Sequence, residues 1–233
     1  YLRDKGMLVM DKAGNPALLQ WWDGFSAVLD FTNPGAEKWY LSQNQWLMDE
    51  YGIDGFKMDA GDAFFYKDEF YTCKEIDANG HSEMWARLAL HYPYNELRAC
   101  WKNGNQPLVQ RLCDKLHQWG YNGVQSLVPC ALAQGIIGCA YSCPDMIGGG
   151  DYIDFSYERM KNLDSELFVR YAQNAALMPM MQFSAAPWRV LNKEDNARCL
   201  KMAKLHEEFG DRILQLAEES KDTGEPIVRY MEY

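Results

Sequence analysis

The sequence has no apolar run of 18 residues, no CxxC motif and no excess of basic residues. The first absence argues against a membrane-spanning helix. The second gives no support for a zinc site or a disulfide framework, because the seven cysteines are scattered. The formal net charge of −10 argues against a nucleic-acid partner, since phosphate binding needs a basic face. The four histidines show no ligand spacing, so no metal is expected.

What the chain does contain is apolar and aromatic. Its 233 residues are 48% apolar and 14% aromatic, which is enough for one large domain with its own core. Aromatic residues in an acidic protein suit a neutral polar ligand such as a sugar. The chain begins at Tyr1 without an initiator Met, so we expect a piece of a longer protein. The sequence does not determine its compartment.

Helical and short apolar segments alternate along the chain. Asn33–Pro34 predicts a helix start and Gly52 its end. Further helices are expected at about 124–135, after Asp164, and from Lys193 through Phe209 towards Ala217. The apolar runs between them are Ala27–Leu29, Gly55–Met58, Leu108–Val109, Ile136–Tyr141 and Met180–Met181. Such alternation predicts βαβ units and a parallel sheet.

A polar residue closes each apolar run shortly after its last apolar residue. These polar residues are Asp30, Asp59, Asp114, Asp145 and Gln182. Their spacing fits the roughly 31 residues that one unit of a (β/α)8 barrel takes, if one strand near Leu97–Trp101 lies in between. A long loop from Ala63 to Pro93 would precede that strand. The predicted fold is α/β, a partial (β/α)8 TIM barrel covering roughly strands 3 to 8. An open doubly wound sheet is the alternative.

The barrel is expected to occupy residues 1–223, and residues 224–233 to begin the segment leading to a C-terminal β-domain. Catalysis in such barrels takes place at the C-terminal ends of the strands. Asp59 and Asp114 are two units apart and can face each other across the barrel mouth. Two carboxylates so placed are what retaining glycoside hydrolysis needs. Helix capping is the plainer explanation for such an aspartate, and an aldolase using Lys57 as a Schiff base is a further possibility.

Five motifs in consistent order carry a resemblance to a known family. Residues 54–62 resemble the nucleophile motif D-G-F-K-x-D-x-G-[ED] of glycoside hydrolase family 31. The other four motifs lie at 21–24, 29–34, 144–149 and 224–229. The resemblance implies a retaining α-glycosidase that needs no cofactor, with Asp59 as its nucleophile and an oligosaccharide or glycoside as its partner.

The resemblance also implies the acid/base. Family members carry W-x-G-D followed by a Trp, and here Asp114 with Trp119 occupies that place. Arg111 stands where the family has Trp, and Cys113 where it has Gly. An alternative alignment places Gly120–Tyr121 at the Gly-Asp pair, in which case the acid would be lost. The position of Trp119 and the offset from Asp59 favour Asp114.

One departure from the family pattern bears on the substrate. Family α-glucosidases carry P-F-M-R-N-H at the last barrel strand, but residues 179–184 read P-M-M-Q-F-S. This sequence resembles the branch that contains the myogenesis-regulating glycosidase and bacterial α-galactosidases. An axial C4 hydroxyl changes which donors fit a pocket. The resemblance therefore implies an α-galactosidase. An α-glucosidase, an α-xylosidase, a transglycosylase or a non-catalytic carbohydrate-binding relative are the alternatives.

Six further residues are expected to contact the sugar. Trp22 and Arg98 would shape the pocket, and Arg111 is a further candidate for binding the substrate. Asp30 and Asp145 would lie at the ends of strands and bind sugar hydroxyls, although either could cap a helix instead. Lys57 would lie on the same side of its strand as Asp59 and keep that carboxylate ionised, unless a structural salt bridge takes up its charge.

Overall fold

The computed structural model describes residues 1–22, 24–150 and 163–232. The chain forms two compact units, residues 1–103 and 104–233. The predicted bounds of the barrel, residues 1–223, stay a prediction. The prediction that residues 224–233 lead into a β-domain stays a prediction.

The first unit opens with an antiparallel hairpin. Strand β1 (Leu18–Trp21) pairs with β2 (Gly24–Ala27), and the indole N–H of Trp21 donates to Ser26 across the hairpin at 2.6 Å. Leu19 of β1 packs with Val9, Ala17 and Tyr66 in a buried cluster. A parallel strand at Ala27–Leu29 was predicted. That prediction is wrong, because Ala27 belongs to the antiparallel strand β2 and Leu29 forms an isolated antiparallel bridge with Leu8.

Helix α1 (Pro34–Tyr51) begins and ends as predicted. The side chain of Asn33 accepts a hydrogen bond from the backbone N–H of Gly35, and Pro34 takes the first helical position. Gly52 ends the helix in the left-handed conformation with φ 64°.

Two parallel strands follow in the first unit. Strand β3 (Gly55–Met58) pairs with β4 (Tyr94–Leu97), with Met58 opposite Leu97. The predicted strand near Leu97–Trp101 is therefore present but starts three residues earlier. The predicted loop between them instead contains helix α2 (Ala78–Leu88), which Asp77 caps by accepting from the N–H of Gly80. Short 3-10 turns lie at Ala63–Phe65 and Ala89–His91.

The second unit holds the other parallel pair. Strand β5 (Val109–Arg111) pairs with β6 (Tyr141–Cys143), with Arg111 opposite Cys143. Both strands begin later than the apolar runs predicted. Before β6, helix α3 (Leu127–Ile136), preceded by a 3-10 turn at Val124–Ser126, takes up the first residue of the run from Ile136. At Met180–Met181 the structure has no strand, and an isolated parallel bridge joins Ile147 to Phe183 nearby.

The remaining helices pack around the core of the second unit. Helix α4 (Ser165–Ala175) begins as predicted at Asp164, whose side chain accepts from the N–H of Leu167. It buries Phe168 and Tyr171 against Leu127 and Ile147. Three helices follow, α5 (Pro187–Val190), α6 (Lys193–Glu208) and α7 (Gly210–Thr223), and the last two match the predicted break near Gly210. Among the described helices, none is both long and apolar enough to cross a membrane.

Candidate active site

The first unit places Asp59 and Arg98 side by side. Asp59 directly follows β3 and Arg98 directly follows β4, and the register of this parallel pair brings the two strand ends to one edge. The Arg98 Nη1 donates to Asp59 Oδ1 at 2.9 Å. Arg98 is 7% exposed, whereas the Asp59 side chain is 44% exposed. A buried guanidinium thus holds an accessible carboxylate at the end of a strand.

Asp62 fixes the guanidinium from the other side. Arg98 Nε lies 3.2 and 3.1 Å from the two carboxylate oxygens of Asp62, and Nη2 donates to Oδ2 at 2.9 Å. The ring of Trp22 lies 5.5 Å from the Arg98 guanidinium carbon, within the range of a cation–π contact. Trp22 itself is more than half exposed. The structure therefore brings together three of the predicted residues, Asp59, Arg98 and Trp22.

A tight turn makes the second contact possible. Ala60 and Gly61 both have positive φ, 61° and 78°, so the chain reverses at once after Asp59 and returns Asp62 to Arg98. A Cβ on Gly61 would lie 1.8 Å from the Trp85 ring, so glycine is needed there for space as well as for its conformation.

Lys57 forms an ion pair between the two parallel strands of the first unit. Its Nζ lies 3.5 Å from Glu96 Oε1, the residue opposite it on β4. The structural salt bridge that the sequence left open is therefore formed. A role for Lys57 at the sugar stays a prediction.

Asp30 is buried and holds backbone together. Its Oδ1 accepts from the N–H and the hydroxyl of Thr32, and its Oδ2 accepts from the N–H of Cys73 at 2.6 Å. Asn33, not Asp30, caps helix α1. These contacts give Asp30 a structural role in fixing the segment around Cys73, and its predicted contact with sugar stays a prediction.

The second unit holds a matching arrangement around Asp114. Arg111, the last residue of β5, donates from Nη1 to Asp114 Oδ1 at 2.6 Å and to Asp145 Oδ1 at 2.9 Å. Arg111 is 3% exposed and Asp114 42% exposed, while the side chain of Asp145 has no exposed surface. Again a buried guanidinium links an accessible carboxylate to a shielded one.

Burial and charge act against each other in this cluster. Burial by itself would lower the pKa of Arg111, but hydrogen bonds and charges from Asp114 and Asp145 outweigh it and raise that pKa. Burial raises the pKa of Asp145, and the backbone N–H of Lys115 and the charge of Arg111 partly offset this. The guanidinium therefore stays charged at all relevant pH values.

Asp62 is a site residue that was not predicted. It is the last residue of the 54–62 motif. A carboxylate three residues after the candidate nucleophile, with two intervening residues in a turn, is a signal that could have indicated it. Within the described residues, no group of three or more His, Cys, Asp or Glu side chains could hold a metal ion.

Comparison with known proteins identifies the class of fold. Residues 1–111 match the model described as "Glycosyl hydrolases family 31 TIM-barrel domain". The solved structure of a cycloalternan-degrading enzyme from Trueperella pyogenes matches with a TM-score of 0.83 at 20% identity, covering 100% of this chain and 35% of that one. The parallel strands thus belong to a (β/α)8 barrel, as the sequence predicted.

Curated sequences carry the assignment further. The chain is 35% identical over 233 residues to the myogenesis-regulating glycosidase of Mus musculus, covering 97% of this chain and 32% of that protein. It is 25% identical to alpha-glucosidase 2 of Bacillus thermoamyloliquefaciens, covering 94% of this chain and 30% of that protein. The chain spans about a third of the length of these relatives. It belongs to glycoside hydrolase family 31.

Proposed function

We propose that this chain carries the catalytic residues of a retaining exo-α-glycosidase, with Asp59 as nucleophile and Asp114 as acid/base. The observation that carries the proposal is the pair of accessible, arginine-bound carboxylates, each just after a parallel strand of a family 31 barrel. Active sites of such barrels lie at these strand ends. Both carboxylates are present, which argues against a non-catalytic carbohydrate-binding relative.

The chemistry follows from two carboxylates with different tasks. Asp59 attacks the anomeric carbon while Asp114 protonates the departing oxygen, which gives a β-linked glycosyl-enzyme. Asp114 then removes a proton from water, which displaces Asp59 and restores the α configuration. Retaining glycosidases in general hold their two carboxyl groups about 5–5.5 Å apart. The residues of the chain supply every group in this scheme, so no cofactor is invoked.

For the substrate we propose a terminal α-galactoside. The support is the segment Gln182–Ser184, where α-glucosidases of the family carry Arg and His. Here the backbone carbonyl of Gln182 accepts from the N–H of Ile147, and the Ser184 hydroxyl donates to the Ile147 carbonyl at 2.6 Å. An α-glucoside is the second candidate, because a curated relative is named an alpha-glucosidase. Transfer to a sugar acceptor would use the same glycosyl-enzyme.

The substrate assignment is tested by matched aryl glycosides. We expect the purified protein to hydrolyse 4-nitrophenyl α-galactoside with a kcat/KM at least about tenfold above that for the α-glucoside, since a hydroxyl that mismatches a buried donor costs 1–3 kcal/mol. Proton NMR of the first product should show the α-anomer. Preference for the glucoside would overturn the galactoside assignment, and a β-anomer formed first would overturn retention.

The anchoring of Arg98 gives a further prediction. Replacing Asp62 by Asn leaves the buried guanidinium with one ionised partner fewer. We expect a loss of about 3 kcal/mol in the free energy of unfolding, measured by urea denaturation. Because Arg98 holds Asp59, kcat should also fall by about tenfold or more. Asp68→Asn, at an exposed carboxylate nearby, is the control and should change neither quantity. Unchanged kcat in Asp62→Asn would show that Arg98 needs no second carboxylate.

A further inference from the structure

Two exposed aromatic side chains lie on the loop between β5 and helix α3. Trp119 is 48% exposed and Tyr121 is 84% exposed, although aromatic side chains of this size gain much from burial. Both follow Asp114 on the same loop. Exposed Trp and Tyr are typical of surfaces that bind a ligand, because their rings are apolar and carry a polar group. The proposed mechanism gives this pair no task.

The loop that carries the two rings is closed by its own backbone. The N–H of Leu116 donates to the carbonyl of Asn122 at 2.9 Å, and the N–H of Val124 donates to the carbonyl of Gln118 at 3.1 Å. A Cβ on Gly123 would lie 1.9 Å from the Gln118 carbonyl oxygen, so the two sides of the loop are in direct contact. A loop fixed in this way loses little conformational freedom when a ligand binds to it.

The end of the loop nearest Asp114 is held by the rest of the second unit. The carbonyl of Lys115 accepts from the N–H of Gly150 at 2.8 Å, in the loop after β6. The carbonyl of Leu116 accepts from the hydroxyl of Tyr171 at 2.7 Å, on helix α4. The loop after β5 is therefore tied to two other elements of its unit.

The ring of Trp119 is anchored at the start of helix α4. Its Nε1 donates to Asp164 Oδ2 at 2.9 Å, while Asp164 Oδ1 caps the helix by accepting from the N–H of Leu167 at 3.0 Å. The Leu167 N–H, and after it the indole N–H, lower the pKa of Asp164, and they outweigh the effect of its partial burial. A hydrogen bond to an ionised acceptor is strong. Because the polar atom of Trp119 has this partner, the ring offers a ligand its apolar surface.

The chemistry of the proposed acid places the leaving group on the same side. A general acid gives its proton to the oxygen that joins the cleaved sugar to its leaving group. With Asp114 as that acid, the leaving group lies beside Asp114. Trp119 follows Asp114 by five residues, and five residues span at most about 18 Å. The two rings are therefore on the loop that borders the leaving group.

We propose that Trp119 and Tyr121 form a subsite for the leaving group, in which a sugar ring stacks its apolar C–H face on the aromatic surface. The proposal deepens the proposed function and rests on the role of Asp114 as the acid. Stacking removes apolar surface of both partners from water, and the closed loop holds the rings in place beforehand. The substrate class is then an α-galactosyl oligosaccharide, whose leaving group is itself a sugar.

The test compares a sugar with a methyl group as leaving group. We expect Trp119→Ala to lower kcat/KM about tenfold for the best of the α1,3-, α1,4- and α1,6-linked galactosyl-glucose disaccharides, and Tyr121→Ala about threefold. For methyl α-galactoside both changes should stay under about twofold, because a methyl group offers no ring to stack. Trp46→Ala is the matched control, since Trp46 is 55% exposed on helix α1, and it should change neither substrate. If the enzyme prefers glucosides, the corresponding glucosyl pair replaces these substrates.

Two conservative variants test the anchor. Asp164→Asn keeps a carbonyl oxygen that can cap helix α4, but it has one acceptor oxygen for two N–H donors. Trp119→Phe keeps an aromatic ring without the N–H. Both should fall between wild type and Trp119→Ala on the disaccharide and match wild type on methyl α-galactoside.

The results separate the subsite from the proposed function. Equal losses on the disaccharide and the methyl glycoside, or no loss in Trp119→Ala, would overturn the subsite. Calorimetric titration of Asp59→Ala with the same disaccharide gives a second readout, and adding Trp119→Ala should weaken binding about tenfold. A wild-type protein that hydrolyses no glycoside would overturn the proposed function, while the weakened binding would still support the subsite. Hydrolysis by wild type with rates and binding indifferent to Trp119→Ala would overturn the subsite alone.

Discussion

Replacing Asp59 with alanine is expected to lower kcat for α-galactoside hydrolysis by about 10⁴-fold or more. Removing the attacking group of a covalent mechanism costs this much in other enzymes. The shallow position of the side chain, 44% exposed at the end of β3, means that the loss reflects chemistry more than folding. Steady-state rates with the 4-nitrophenyl glycoside, together with thermal unfolding, measure the two contributions separately.

Azide distinguishes the nucleophile from every other essential residue. In Asp59→Ala the small anion can occupy the space of the lost carboxylate and attack directly, so the product should be the inverted β-galactosyl azide. The control is Asp54→Asn, an exposed carboxylate in the same run, which should keep wild-type activity. Formation of α-galactosyl azide by Asp59→Ala would contradict the assignment, because retention requires an intact covalent step.

Replacing Asp114 with alanine is expected to act selectively on substrates with poor leaving groups. General acid catalysis contributes about 10²- to 10⁴-fold, so methyl α-galactoside should lose that much in kcat/KM. With the activated 4-nitrophenyl glycoside, departure needs little protonation and the covalent step should remain fast. Release of the glycosyl-enzyme then becomes slow because no base activates water. A burst of nitrophenol followed by slow turnover would report this.

Added azide should restore turnover of Asp114→Ala, because this nucleophile needs no deprotonation. The product should be the retained α-galactosyl azide, formed through the Asp59 ester. Asp222→Ala, at an exposed site on helix α7, is the matched control. Equal losses on both substrates without azide rescue would mean that Asp114 supports the fold and that the acid/base lies elsewhere.

Local signals predicted the helices well. Asn33 before Pro34 and Asp164 before Ser165 are caps whose hydrogen bonds form as expected. Helix α2 was not predicted, because its region is rich in charged and aromatic residues and resembles an inserted loop. Asp77 nevertheless caps it in the same way. A capping residue is therefore informative even inside a segment that otherwise resembles a loop.

Strand positions were harder to predict. The run Ala27–Leu29 is as apolar as a buried barrel strand, yet Ala27 ends the hairpin strand β2 and Leu29 forms an isolated antiparallel bridge. An apolar run indicates that a segment is buried, but it does not indicate which strand the segment will pair with. At β5 and β6 the pairing partner sets the bounds, and both strands begin later than their apolar runs do.

The class of fold, the family and the two carboxylates at strand ends could be predicted from the sequence, because each depends on residue types at fixed separations along the chain. What surrounds those carboxylates depends on the tertiary structure. Lys57 pairs with Glu96, Asp62 pairs with Arg98, and the buried Asp145 pairs with Arg111. All three contacts join segments that are distant in the sequence. The physical reason is that charge and hydrogen bonding act over a few ångströms in space, whatever the separation in sequence.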